Sequence, residues 1–418
     1  MSPRAPTARR LSAAEEARTA HELVARIVAE APRRMATSGD ERRAHELVRA
    51  EMDALGLRTE VHAFRWNRST YTVLALHFGL GVVGSVAAFV SPALALALHA
   101  LAAVSFVLES TRAAFLLRRV FPFAASQNVL GVRPASGTPR LRVVVLAHVD
   151  AAFTGVVFRP AFIARFGSKP GSPLYKSLRV AAAALVALAV TDVLELALGG
   201  SWPLWVARAV LSIPALVATL LNLDVVLRNQ IVPGASDDLS GVAAMLLLGR
   251  RLQSELPDDV ELVLVATGCE EAGLGGAQAL LRDLRARWSP ADTVVLGLDS
   301  PTNGDLCYYH EGEVLRVPLA PWLEEVLLSV SAADAALADV RAFDIPVGGT
   351  DAIPFARAGY PAVTLGCVDR RAGAPRHYHL PSDTPEHLEV EQIPRALDLA
   401  ERVVAAIVAR PGGSAGPR

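Results

Sequence analysis

Two blocks of this 418-residue chain, roughly 73–108 and 178–227, hold most of its apolar excess and leave it few ways to fold. Apolar residues make up 52% of the whole and the mean hydropathy is +0.34, although the remaining segments read as an ordinary α/β domain. The runs 73–90 and 93–108 are nearly free of charge and are split by Ser91-Pro92. At about 1.5 Å per residue each reaches roughly 25 Å, the short end of a bilayer span. Two such runs joined by a proline-containing turn predict a membrane hairpin. Buried core helices are the competing reading, disfavoured because a soluble domain rarely needs adjacent helices that are apolar all round.

A second hairpin is expected from 178–198 and 203–226. Asp192 and Glu195 lie three apart, so they share a helix face, and their burial in lipid is costly unless they pair. Arg208 on the neighbouring helix is the partner within reach. An amphipathic pair lying on the membrane also fits these residues. Arg65, Arg68, Arg112, Arg118, Arg119, Arg159, Arg165, Lys169, Lys176 and Arg228 flank the hairpins on the domain side. The tips, at Ser91-Pro92 and Gly199-Gly200-Ser201, carry no Lys or Arg. The positive-inside rule then puts the globular part in the cytoplasm of a multi-pass cell-membrane protein, with the lipid bilayer as a partner.

Elsewhere the periodicity alternates. Helices are expected at 11–30, 40–55, 238–252, 275–287, 321–331, 352–358 and 392–409, and strands at 57–66, 127–131, 141–147, 260–266, 293–298 and 362–366. This gives three parts of one domain (11–66, 125–150 and 233–410), interrupted by hairpins at 71–109 and 174–228. The tail 411–418, rich in Gly, Pro and Ser, reads as disordered. A net charge of −1 without a basic block offers nothing for nucleic acid. Cys269, Cys307 and Cys367 are too few and scattered for a disulfide framework or a thiolate site. The basic start, 1–10, is followed by no apolar core, so no cleaved signal peptide is expected. Nothing in the sequence sets an oligomeric state.

Chemistry-bearing residues gather in five segments: 147–150, 234–241, 269–276, 298–300 and 377–383. His148, Glu270-Glu271 and Asp299 each directly follow an apolar strand, and adjacent strands of one sheet would bring those ends together. Asp237 precedes a helix in a glycine-flanked loop. Carboxylates and imidazole without thiolate select zinc, or manganese or cobalt. Two ions need a shared carboxylate. One ion would take His148, Asp237 and Asp299, and the other Asp237, Glu271 and His379. Asp150 is placed to orient the His148 ring through its second nitrogen. Glu270, diverging from its neighbour, is left free as a general base. His377 competes with His379, and Asp238 with Asp237. Asp351 either lines the substrate site or caps a helix. Cys269 reads as a small buried hydrophobe, and His62, His77, His99, His310 and His387 as ordinary polar residues.

Taken together, these segments resemble the M28 family of di-zinc aminopeptidases. Its motifs run His-x-Asp, Gly-Ala-x-Asp-[Asn/Asp]-x-Ser-Gly, Glu-Glu-x-Gly-Leu-x-Gly, Asp, and Tyr-His-x-x-x-Asp-Thr. The resemblance puts the bridging aspartate on Asp237, the general base on Glu270, the ligand glutamate on Glu271 and the last histidine on His379. The stretch 349–355 matches the family's segment before its final strand. The likeness covers about 11–66, 125–150 and 233–410. It departs from the family where about 85 residues, instead of a short loop, separate the first two motifs.

The resemblance implies a mixed, mostly parallel sheet flanked by helices, of the zinc exopeptidase type, and two zinc ions per chain. It also implies hydrolysis of short peptides at a free amino terminus. A single-zinc glutaminyl cyclase and a non-catalytic membrane scaffold derived from the same fold are the alternatives.

Overall fold

The first two amphipathic stretches form helices α1 (Ala13–Glu30) and α2 (Gly39–Ala54) in a computed structural model that describes residues 9–167, 175–312 and 314–410. Each begins at a serine, Ser12 or Ser38, whose hydroxyl accepts from the amide three residues on. Strand β1 (Arg58–Trp66) leads into α3 (Thr70–Ala87), and α4 (Pro92–Ser110) returns the chain to β2 (Ala124–Arg133). Strand β3 (Leu141–His148), the short α5 (Pro160–Phe166), and the long α6 (Ser177–Leu198) and α7 (Trp202–Arg228) follow. Next come α8 (Gly241–Leu252), β4 (Val260–Thr267), α9 (Gly275–Leu284), β5 (Thr293–Leu298) and β6 (Asp305–His310). The chain closes with α10 (Pro321–Ala333), β7 (Arg341–Asp344), α11 (Ala352–Arg357), β8 (Ala362–Val368) and α12 (Gln392–Val408). The tail expected to be disordered, 411–418, lies outside the described residues.

Among the described residues the strands form one eight-stranded sheet, ordered β1-β2-β4-β3-β5-β8-β6-β7. Strands β4, β3, β5 and β8 are mutually parallel at its centre, while β1 and β2 run antiparallel at one edge. Every residue of β3 is buried, as a continuous apolar run demands of a central parallel strand. Val143 and Val145 face the core shared with α1, α8 and α12, whereas Val144 and Leu146 face α9 and α11. Helices therefore cover both faces, and the sequence's expectation of a mixed, mostly parallel sheet holds. Strands β6 and β7 were not anticipated. Both are short, and β7 is an edge strand with no run of apolar residues.

The four long apolar helices pack as a separate bundle in which α3 meets α4 and α7, and α6 meets α4 and α7. Phe78, Phe106, Leu185 and Ala215 fill its centre. At Gly84 a β-carbon would lie 2.7 Å from the His99 ring, so only glycine lets α3 and α4 approach so closely. Each helix is long and apolar enough to cross a membrane. The charged residues are sequestered: Arg208 donates to Asp192 at 2.9 Å and to Glu195, and Nδ1 of His99 lies 2.5 Å from Asp192. The pairing expected for Arg208 is present, and His99, read from sequence as ordinary, belongs to the same buried cluster. Outward positions such as Val86, Phe89, Val190, Ile213 and Leu220 are apolar and exposed.

Candidate metal centre

Parallel pairing of β3 with β4 and β5 brings three strand ends to one edge of the sheet. His148 closes β3, the Glu270-Glu271 pair follows β4, and Asp299 follows β5. Asp237 enters from the turn Ala235–Ser240 before α8. The helix expected from Asp238 begins at Gly241 instead, because the backbone of Asp237 and Asp238 leaves the helical region. His379 arrives from the segment after β8.

Asp237 stands at the centre. One of its oxygens is 3.2 Å from Nε2 of His148, and the other is 3.2 Å from Nε2 of His379. Glu271 lies 3.3 Å from the same His379 nitrogen. Donor atoms of His148, Asp237 and Asp299 all fall within 4.8 Å of one another, as do those of Asp237, Glu271 and His379. These are the two sets expected from sequence. A third set joins His148, Glu270 and Glu271, with Glu270 3.9 Å from Nε2 of His148.

The two paired alternatives separate cleanly. Asp238 faces away from the donors and accepts the backbone N–H groups of His148, Gly241 and Ser300 at 3.1, 3.0 and 2.9 Å, tying three loops together. His377 is drawn off to Ser382 at 2.8 Å and stacks on His387. Asp351 gives no side-chain cap to α11. One of its oxygens accepts from Thr267, and the other is buried without a hydrogen-bond partner among the described residues.

Asp150 acts differently from expectation. It is the backbone carbonyl of Asp150 that accepts from Nδ1 of His148, at 3.0 Å, which leaves Nε2 free to face the centre. The Asp150 carboxylate lies 3.7 Å from that ring and instead accepts the N–H groups of Glu270 and Glu271, both at 3.0 Å. Behind Asp237, Asp383 plays the equivalent part, accepting from the amides of Ser236 and Asp237 at 2.7 and 3.2 Å. Arg34, fully buried, donates to the carbonyls of Val149, Pro233 and Gly234 and so pins the His148 loop to the Asp237 loop. Asp383 was visible as a motif residue without a role. Arg34 carried no local signal.

Electrostatically the centre is overloaded with negative charge. Burial raises Asp299 to about 7 and Asp351 to about 6, and pushes Glu270 well above the usual carboxylate range. Burial disfavours a charged His379, yet the carboxylates of Glu271 and Asp237 outweigh it and lift the ring to about 10. Asp237 moves the other way: against burial, hydrogen bonds from both histidines hold it below the carboxylate range. A buried group of carboxylates and imidazoles with hard oxygen donors calls for cations, and its composition fits zinc.

Residues 220–404 match the model of Peptidase family M28. Aminopeptidase YwaD of Bacillus subtilis (strain 168) is 28% identical over 175 residues, 41% of this chain. The match spans only 37% of that relative's length. A glutaminyl cyclase of Bacteroides thetaiotaomicron, solved with N-acetylhistamine, superposes with a TM-score of 0.55 at 11% identity, covering 93% of this chain and 97% of its own. A Zn-dependent exopeptidase from Parabacteroides distasonis does so at 0.54 and 13% identity, over 94% and 98%. The fold is that of the zinc exopeptidases. Within it, this chain is M28 peptidase-like.

Proposed function

We propose that the chain is a membrane-anchored di-zinc aminopeptidase that removes N-terminal residues from short peptides. The observation that carries this reading is Asp237, whose two oxygens each face a different histidine at 3.2 Å, as a carboxylate shared by two cations must. His148, Asp237 and Asp299 would hold one ion, and Asp237, Glu271 and His379 the other. Zinc bound there supplies Lewis acidity toward a water and toward the peptide carbonyl. Glu270 faces the same space without belonging to either set. Its raised proton affinity suits a group that takes a proton from the attacking water and passes it to the leaving amine. Asp150 holds the main chain of Glu270 and Glu271 through their N–H groups.

The fold is also that of glutaminyl cyclases, for which the alternative is a single zinc. Two complete three-donor sets favour two ions. The test is hydrolysis of an aminoacyl-peptide panel with and without chelator, together with product analysis on a peptide beginning with glutamine. Glu270→Gln should keep its metal and lose turnover. Retained peptidase activity in that variant, or a cyclised product from the glutamine peptide, would sink the assignment.

Membrane anchoring is supported by the outward apolar surface of α3, α4, α6 and α7 and by the sequestration of their charges. The basic residues that flank the bundle on the domain side support a cytoplasmic domain. Reporters fused at Gly200 and at the C-terminus should lie on opposite sides of the membrane. Finding both on one side rules out the paired-hairpin topology.

A further inference from the structure

One of the bundle helices reaches the metal centre. The hydroxyl of Tyr71, in the first turn of α3, lies 3.4 Å from Nδ1 of His379. Nε2 of that ring faces Asp237 and Glu271, so Nε2 is the nitrogen a cation would take and Nδ1 carries the proton. The Tyr71 oxygen then accepts from Nδ1–H. Among the described residues Nδ1 makes no other hydrogen bond. The Tyr71 ring is itself held edge-on by Phe153 and Phe158, at 6.2 and 6.4 Å between centroids, and Phe158 lies 4.4 Å from the His379 ring. The contrast with His148 is instructive. That ring is oriented by a carbonyl of the α/β domain itself, two residues along the same strand end. His379 depends on a side chain delivered by the bundle, from a part of the chain that the M28 motifs do not cover.

Resting on the di-metal reading above, we propose that Tyr71 is a positioning residue for His379, so that the second half of the metal centre forms fully only when the bundle is seated on the domain. Phenylalanine at this position keeps the ring contacts with Phe153 and Phe158 and removes only the oxygen. It leaves a buried Nδ1–H without an acceptor, a loss felt by the ion on His379 and not by the ion on His148.

The experiment is a cobalt titration of the full-length, metal-free protein in detergent, wild type against Tyr71→Phe. Visible absorption follows binding, and steady-state kinetics are measured on the loaded forms. Wild type should show two binding events. In the variant one event should weaken by about 10- to 100-fold, as expected for loss of a partner behind a ligating histidine, with the other unchanged. Turnover should fall while KM changes little. Two unchanged events overturn the proposal. Two equally weakened events also overturn it, since they would report a general loss of folding. A wild type that takes up no cobalt fails the di-metal reading itself, and a wild type with two events and no peptidase activity fails only the assigned reaction.

Discussion

The carboxylate of Asp150 and the main chain of Glu270 are joined by a 3.0 Å hydrogen bond that spans 120 positions of sequence, and Glu271 makes the same contact with the other oxygen. The carboxylate thus acts as a clamp on the turn after β4. Asp150→Asn exchanges one acceptor oxygen for a donor that opposes a backbone N–H, at a cost of about 1–3 kcal/mol. Turnover should drop about 10- to 100-fold, since 1.4 kcal/mol is a factor of ten. KM should hold and metal content should stay near wild type. Kinetics with metal analysis check this, and a variant that loses its metal would contradict the clamp.

His379 and His377 give a paired test. Only the former shares the space around Asp237, whereas the latter is spent on Ser382 and His387. His379→Ala should release one of the two ions and stop turnover. His377→Ala should leave both ions bound. Metal content by elemental analysis distinguishes the two, and the opposite pattern would reassign the ligand.

Acidity offers a test with a defined sign. Burial raises Asp299 and Asp383 to about 7 and Asp351 to about 6 in the folded chain, against an ordinary value of 3.8 for Asp. Between about pH 4 and 7 the folded metal-free chain therefore binds more protons than the unfolded chain, and its stability falls as pH rises. Zinc binding runs the other way, because its ligands must be deprotonated. The melting temperature of chelator-treated protein should fall from pH 5 to 8 while the gap to zinc-loaded protein widens. A gap that narrows with pH would count against the centre.

Within the bundle, Arg208 is, among the described residues, the guanidinium paired with Asp192 and Glu195, and His99 joins the same cluster. Arg208→Met strands two buried carboxylates, and breaking such a cluster from one side costs about 3–5 kcal/mol. The melting temperature in detergent should fall sharply. Adding Asp192→Asn and Glu195→Gln should restore much of it, since the charges are then removed together. No recovery in the triple variant would mean that the cluster's hydrogen-bond geometry, and not its charge balance, holds the helices.

What could be read from sequence was what is local. Carboxylates directly after apolar runs announced strand-end donors, and the spacing of Asp192, Glu195 and Arg208 on two predicted helices announced their pairing. Residues whose role depends on which loops meet were not legible. Arg34 and Tyr71 lie in segments with no motif, and they matter only because folding carries them to positions far along the chain. Asp150 was identified as important for the wrong atom: neighbours in sequence suggested a side-chain contact to His148, and the backbone made it instead. Strand β7 escaped because a short edge strand needs no apolar periodicity, and β6, which pairs with β7 and β8, is only six residues long.

The order of the segments sets a timetable for biosynthesis. Among the described residues the four long apolar helices all precede Asp237, the residue that both donor sets require, and His379 follows every other proposed donor. As the chain emerges from the ribosome, the bundle can therefore be delivered and assembled before any complete ligand set exists. A nascent chain stalled short of His379 would hold the whole first set and Glu271 but lack the last donor of the second, so occupancy of the second site would report that His379 has been made.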